Sequence, residues 1–115
     1  MTREQVQELR ELKSQETKLH IVINRMIKKN LSSKRREELS RIRDELISNM
    51  RPLRDLMLSE IDPFKKDDWL MYWAVRFYFI GMTAFEVADM FGYKNNTIII
   101  QKIRKAESMV TSDEQ

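Results

Sequence analysis

Along the first part of the chain, Leu9, Leu12, Leu19, Ile23 and Met26 recur at alternating steps of three and four, and Gln5 and Glu16 occupy the remaining positions of the same seam. A period of 3.5 residues predicts one stripe on a long helix, its polar members able to fix the register of whatever packs on it. Thr2 with Gln5 three residues on has the form of a capping box, so the helix is expected to start there. Asn30, Leu31, Ser32 and Ser33 predict a break, with Ser32 or Ser33 capping a second helix. That helix is expected to bury Leu39, Ile42, Leu46 and Met50, to kink or restart at Pro52, and to continue its apolar face through Leu53, Leu56, Met57 and Ile61. Residues 1–61 therefore read as an antiparallel helical hairpin or a dimerising coiled coil.

The pattern changes at Asp62-Pro63, because a residue before proline avoids the helical region. Most of the chain's aromatics lie between Phe64 and Phe91, and they are expected to form the core of a second unit, residues 62–111, followed by a disordered tail at 112–115. Asp67 or Asp68 can cap a helix that runs through Trp69, Leu70, Trp73, Val75, Phe77 and Ile80 and stops at Gly81. Thr83 and Glu86 form a second capping box, and the helix it opens lasts about two turns before Gly92, whose freedom at positive φ suits a helix end. Asn95 or Asn96 then caps the last helix.

Two helices joined by so short a turn must cross steeply, which demands a small contact residue, and Ala88 supplies one. Val87 and Phe91 are expected to bury the inner face of the first, and Ile99, Ile103 and Ala106 that of the second. The fold class expected is all-α, a long N-terminal hairpin or coiled coil followed by a small helix-turn-helix domain.

Helical geometry then places Asn95, Thr97, Ile98, Gln101, Lys102 and Lys105 on the outward side. Gln and Asn can pair with adenine in a major groove and Ile98 can touch a thymine methyl, whereas Lys94, Lys102 and Lys105 would hold phosphates. With Asn96 at the helix start, these form the candidate DNA-binding set.

Charge supports that direction through its distribution rather than its sum of +3. Between Gly92 and Ala106 stand Lys94, Lys102, Arg104 and Lys105 with no acid. A second such run, Lys18, Arg25, Lys28, Lys29, Lys34, Arg35 and Arg36, reads equally as a phosphate contact or as a solvated helical surface. The chain has no cysteine, so disulfides and thiolate metal sites are excluded and a reducing compartment fits. The first residues lack the apolar run of a signal peptide, and Trp69 to Met82 is too short for a membrane span and contains Arg76. A cytoplasmic location with no membrane partner is expected.

From Leu53 onward the chain resembles small phage-encoded late-gene transcriptional regulators of the ArpU and RinA type, which carry a helix-turn-helix like that of sigma region 4. The resemblance rests on the charged helical first half, the aromatic-rich helix ending at Gly81, and Thr83, Glu86-Val87-Ala88 and Phe91-Gly92 before a helix ending near Ala106. It implies DNA binding and activation of phage promoters. A shorter stretch, Phe91 to Ile100 with Arg104-Lys105, is similar to the DNA-binding end of the replication initiator DnaA. Asn95-Asn96 stand where that family has Asp-His, and no phosphate-binding loop is present, so an ATPase initiator is ruled out.

An enzyme is not expected. His20 has no second His or Cys to join it, and the adjacent acids Asp67-Asp68 and Glu37-Glu38 point in different directions on a helix. No catalytic residue, metal or cofactor is foreseen. The leading expectation is a sequence-specific regulator of transcription on double-stranded DNA, dimerised by its N-terminal helices, with RNA polymerase as a candidate partner. The rival is a structural or assembly protein that works through the coiled coil, such as a small DNA-packaging subunit or an RNA polymerase adaptor.

Overall fold

The computed structural model describes residues 1–30 and 33–112 and is all-α. Helix α1 spans Arg3–Lys28, α2 Ser33–Ile61, α3 Trp69–Tyr78, α4 Ala84–Met90 and α5 Thr97–Val110, with a 3-10 turn at Asp62–Phe64 between α2 and α3. Thr2 caps α1 reciprocally with Gln5. At its far end Asn30 takes φ +54°, a left-handed conformation that asparagine tolerates better than most residues. Ser33 is already the first residue of α2, and the alternative cap, Ser32, lies outside the described residues.

α1 and α2 form an antiparallel pair: Met1 meets Glu60 at one end, and Glu16 meets Arg43 further along. The base of this hairpin does not pack on itself alone. Met50, Met57 and Ile61 of α2 share one fully buried cluster with Met71, Ala74 and Val75 of α3, Val87 of α4 and Ile99 and Ala106 of α5. The distal part of the hairpin extends beyond this core, and among the described residues Ile23 and Leu39 are the apolar residues buried there.

Several expectations change. Ile42 is 47% and Leu56 39% exposed, because they sit roughly 60° to 100° of helical rotation away from the Leu39–Met50–Met57 line. Leu58, on the other flank, is buried instead, where α2 also meets α3 and α5. Pro52 does not restart the helix. Both it and Ser48, whose carbonyl loses its amide partner, are exposed residues on the outer side of α2. The aromatics line the edge of the core as much as they fill it: Phe79 is buried, but Trp69 is 52% and Phe85 65% exposed. Trp69 packs edge-on against Phe91 with ring centroids 5.6 Å apart.

α5 runs past Ala106 to Val110. Ser112, the first residue of the expected tail, donates its N–H to the Met1 carbonyl at 2.8 Å, and residues 113–115 lie outside the described residues. No helix among the described residues is long and apolar enough to cross a membrane.

Candidate nucleic-acid interface

The helix-turn-helix unit is built by two copies of one turn. At the end of α3, Gly81 donates to the Tyr78 carbonyl and Met82 to that of Phe77; at the end of α4, Gly92 donates to Asp89 and Tyr93 to Ala88. Both are Schellman closures, and both glycines hold the positive φ the motif needs, +118° and +82°. The first closure aims the chain into α4, and the second aims it into α5.

α4 begins with the foreseen capping box: Thr83 N–H donates to Glu86 Oε1 at 2.9 Å, and Glu86 N–H to Thr83 Oγ1 at 3.1 Å. His20 of α1 lies 3.3 Å from the same carboxylate oxygen, which ties the hairpin to the start of α4. Partial burial works to raise the Glu86 pKa, but the bonds from Thr83 and the neighbouring imidazole outweigh it and hold the carboxyl below its ordinary range.

α5 starts at Thr97, and its cap differs in detail from either simple expectation. Asn96 occupies the cap position without a side-chain bond, and it is Asn95 whose Oδ1 accepts from the Thr97 N–H at 3.0 Å. Ile99, Ile103, Ala106 and Val110 form the buried side. Opposite them Thr97, Gln101, Arg104 and Lys105 are exposed, as are Lys94 and Asn95 in the preceding turn.

Three members of the candidate set depart from that picture. Ile98 packs against the core edge and is partly buried there. Lys102 and Lys105 both reach Asp68 Oδ2, at 2.9 and 2.7 Å, and clasp α5 to the start of α3. Asp68 meanwhile caps α3 by accepting from the Met71 N–H at 3.2 Å. Burial acts to raise the Asp68 pKa, but the bonds from Lys105, Lys102 and Met71 prevail and bring it from 3.8 down to about 2. Local sequence reasoning misses this acid as their partner because it stands a helix away from them. Arg104 falls outside the candidate set, although it lies beside Gln101 on the exposed side.

Behind the unit, a buried ionic cluster fixes its position. Glu16, on the apolar seam of α1, is fully buried and accepts from Lys13 Nζ at 2.7 Å and Arg43 Nε at 2.8 Å. Lys13 also donates to the Met82 carbonyl at 2.7 Å and Arg43 Nη2 to that of Gly81 at 2.9 Å. The hairpin thus grips the first Schellman turn by its two carbonyls. Burial lowers the Lys13 pKa, an effect that the adjacent Glu16 carboxylate opposes. No group of three or more His, Cys, Asp or Glu among the described residues is placed to hold a metal ion.

Comparison with protein-family models, with curated proteins and with solved structures finds no match to this chain.

Proposed function

We propose that this chain binds double-stranded DNA and regulates transcription, with α5 lying in the major groove and α4 crossing above it. The observation that carries the reading is the face at the start of α5. Thr97 and Gln101 are exposed along one side of a helix whose opposite side is buried, and Lys94 and Asn95 are exposed in the short turn that joins the Schellman closure to that helix. Gln101 has the paired donor and acceptor that adenine presents a match for, Asn95 offers its amide donor while its Oδ1 caps Thr97, and Lys94 and Arg104 flank them with positive charge. Lys102 and Lys105 stand ready at the same face, held by Asp68 until a phosphate competes.

The likeness to phage late-gene regulators supports a phage or prophage promoter as the target, RNA polymerase as a partner and the cytoplasm as the location. Exposed Ile21, Val22 and Ile27 on α1 and Ile42 on α2 support self-association through the distal hairpin, which would set the spacing of two half-sites.

A gel-shift titration on random duplex, followed by selection from a randomised pool, tests the reading. Affinity should fall steeply with salt, and the pool should converge on one motif that footprints discretely. A chain that retards no duplex even at low salt is a protein adaptor instead. Retardation without a discrete footprint would favour a DNA-packaging subunit.

A further inference from the structure

α1 carries a second seam besides the one that packs on α2. Glu4, Glu8 and Glu11, then Gln15, then Lys18, Val22 and Arg25 follow one another at alternating steps of four and three, and all of them are exposed. Such steps keep side chains on one stripe of a helix. The stripe is acidic before Gln15 and basic after it. No ion pair among the described residues uses any of its charged groups.

Beside this stripe runs an apolar band. Leu12, Leu19 and Met26 are half-buried, and Val22 is 41% exposed. Lys13 and His20, which reach Met82 and Glu86, each stand one residue and therefore about 100° further round the helix. The band thus lies on the flank of α1 away from the helix-turn-helix unit. On α2 the matching flank holds exposed Ile42 and half-buried Leu46, because Arg43 and Ile47, again one residue on, are the ones set against Gly81. The back of the hairpin is an apolar face two helices wide, edged on α1 by charges that change sign halfway along.

Such an edge selects its own partner. A second copy laid parallel would set glutamate against glutamate and cation against cation. Turned end for end, it brings Glu4 opposite Arg25, Glu11 opposite Lys18, and Gln15 opposite its own counterpart. We propose that two copies of this chain pack back to back through this face as an antiparallel four-helix bundle, with the two-fold axis beside Gln15. Burial of the apolar band supplies the affinity, and the charged edges fix orientation and register. The distal end of each hairpin then lies along the proximal half of its partner. This arrangement rests on the reading of self-association above and makes no use of DNA binding.

Sedimentation equilibrium of the full chain measures the dimer, with the fold of each variant checked by circular dichroism. Reversing one half of the edge, in Glu4→Lys/Glu11→Lys, should weaken dimerisation about tenfold or more, since the two-fold axis counts each altered pair twice. Adding Lys18→Glu/Arg25→Glu inverts the whole edge and should restore it. The chain has no cysteine, so introduced thiols report the geometry through a short bismaleimide cross-linker. Gln15→Cys should couple to itself. Glu4→Cys should not, but mixed with Arg25→Cys it should give a crossed dimer. A chain that stays monomeric at every concentration overturns the self-association reading and this arrangement with it. A dimer in which Glu4→Cys couples to itself and not to Arg25→Cys is parallel; one that couples in neither way uses another face. Either result overturns the antiparallel bundle and leaves self-association standing, as does a charge reversal that the compensating pair fails to rescue.

Discussion

Arg43 and Gly81 stand so close that only a glycine fits: Arg43 Nη2 donates to the Gly81 carbonyl at 2.9 Å, and a Cβ added at position 81 would lie 2.7 Å from that nitrogen. The same Cβ would lie 3.2 Å from Ile47 Cδ1, and the backbone φ of +118° is one that side chains resist. Position 92 shares the Schellman geometry, but a Cβ added there would meet nothing within 4 Å.

Gly81→Ala and Gly92→Ala should therefore separate. Both incur the left-handed strain of about 1 kcal/mol, but only the first must also displace Arg43 from its carbonyl. Denaturant unfolding is expected to show a loss of about 2–3 kcal/mol for Gly81→Ala and about 1 kcal/mol for Gly92→Ala. Equal losses would mean that Arg43 does not hold the turn.

Glu16 should be the most sensitive polar position in the chain. Removing it leaves Lys13, 2% exposed, without its carboxylate in a desolvated site. Breaking a buried pair from one side costs about 3–5 kcal/mol, far more than an exposed pair is worth. Glu16→Ala should lose that amount near neutral pH. The sign of its pH dependence follows from Lys13, whose pKa is already lowered from 10.5 by burial and loses an opposing charge in the variant. The unfolded chain then binds more protons than the folded one as pH approaches that value, so stability of the variant should rise with pH. Urea melts at neutral and alkaline pH check this, and a flat profile would contradict it.

Asp68 couples stability to charge at the interface. Its folded pKa of about 2 lies below the ordinary 3.8, so its contribution is present above about 3.8 and is lost as pH falls toward 2. Asn caps helices about as well as Asp, so Asp68→Asn should fold with a loss of about 1 kcal/mol or less while releasing Lys102 and Lys105. On random duplex the variant should bind several-fold tighter at low salt, with a salt slope steeper by about 1–2. An unchanged slope would show that neither lysine meets phosphate once freed.

What could be read in advance was local. Capping boxes at Thr2 and Thr83, the Asp68 cap, the stop at Gly92 and the buried Ile99–Ile103–Ala106 side each depend on residues within a turn or two of one another. Residues joined from distant parts of the chain were not legible. Glu16 announced itself as a polar break in an apolar seam, but its partner Arg43 lies 27 residues away. Lys102 and Lys105 read as free because Asp68 is 34 and 37 residues distant, with nothing in the spacing to join them. Trp69 looked like core by type, and its exposure follows from where α3 meets the surface. Ile98 stands beside the polar face on the helical wheel and is partly buried against the neighbouring core, a contact that the spacing within α5 does not reveal.

Gln101 and Lys94 distinguish sequence reading from charge attraction. Both are exposed, and they lie on successive parts of one surface, Lys94 in the turn and Gln101 on the second turn of α5. A glutamine that pairs with adenine discriminates against the wrong base by about 1–3 kcal/mol, whereas a lysine on phosphate contributes alike on every sequence. Gln101→Ala should therefore weaken binding to the selected motif by roughly tenfold or more and leave random duplex nearly untouched. Lys94→Ala should weaken both alike and reduce the salt slope by about 1. The two variants need to be titrated on both duplexes at two salt concentrations. If each loses the same factor on both duplexes, α5 attracts DNA without reading it.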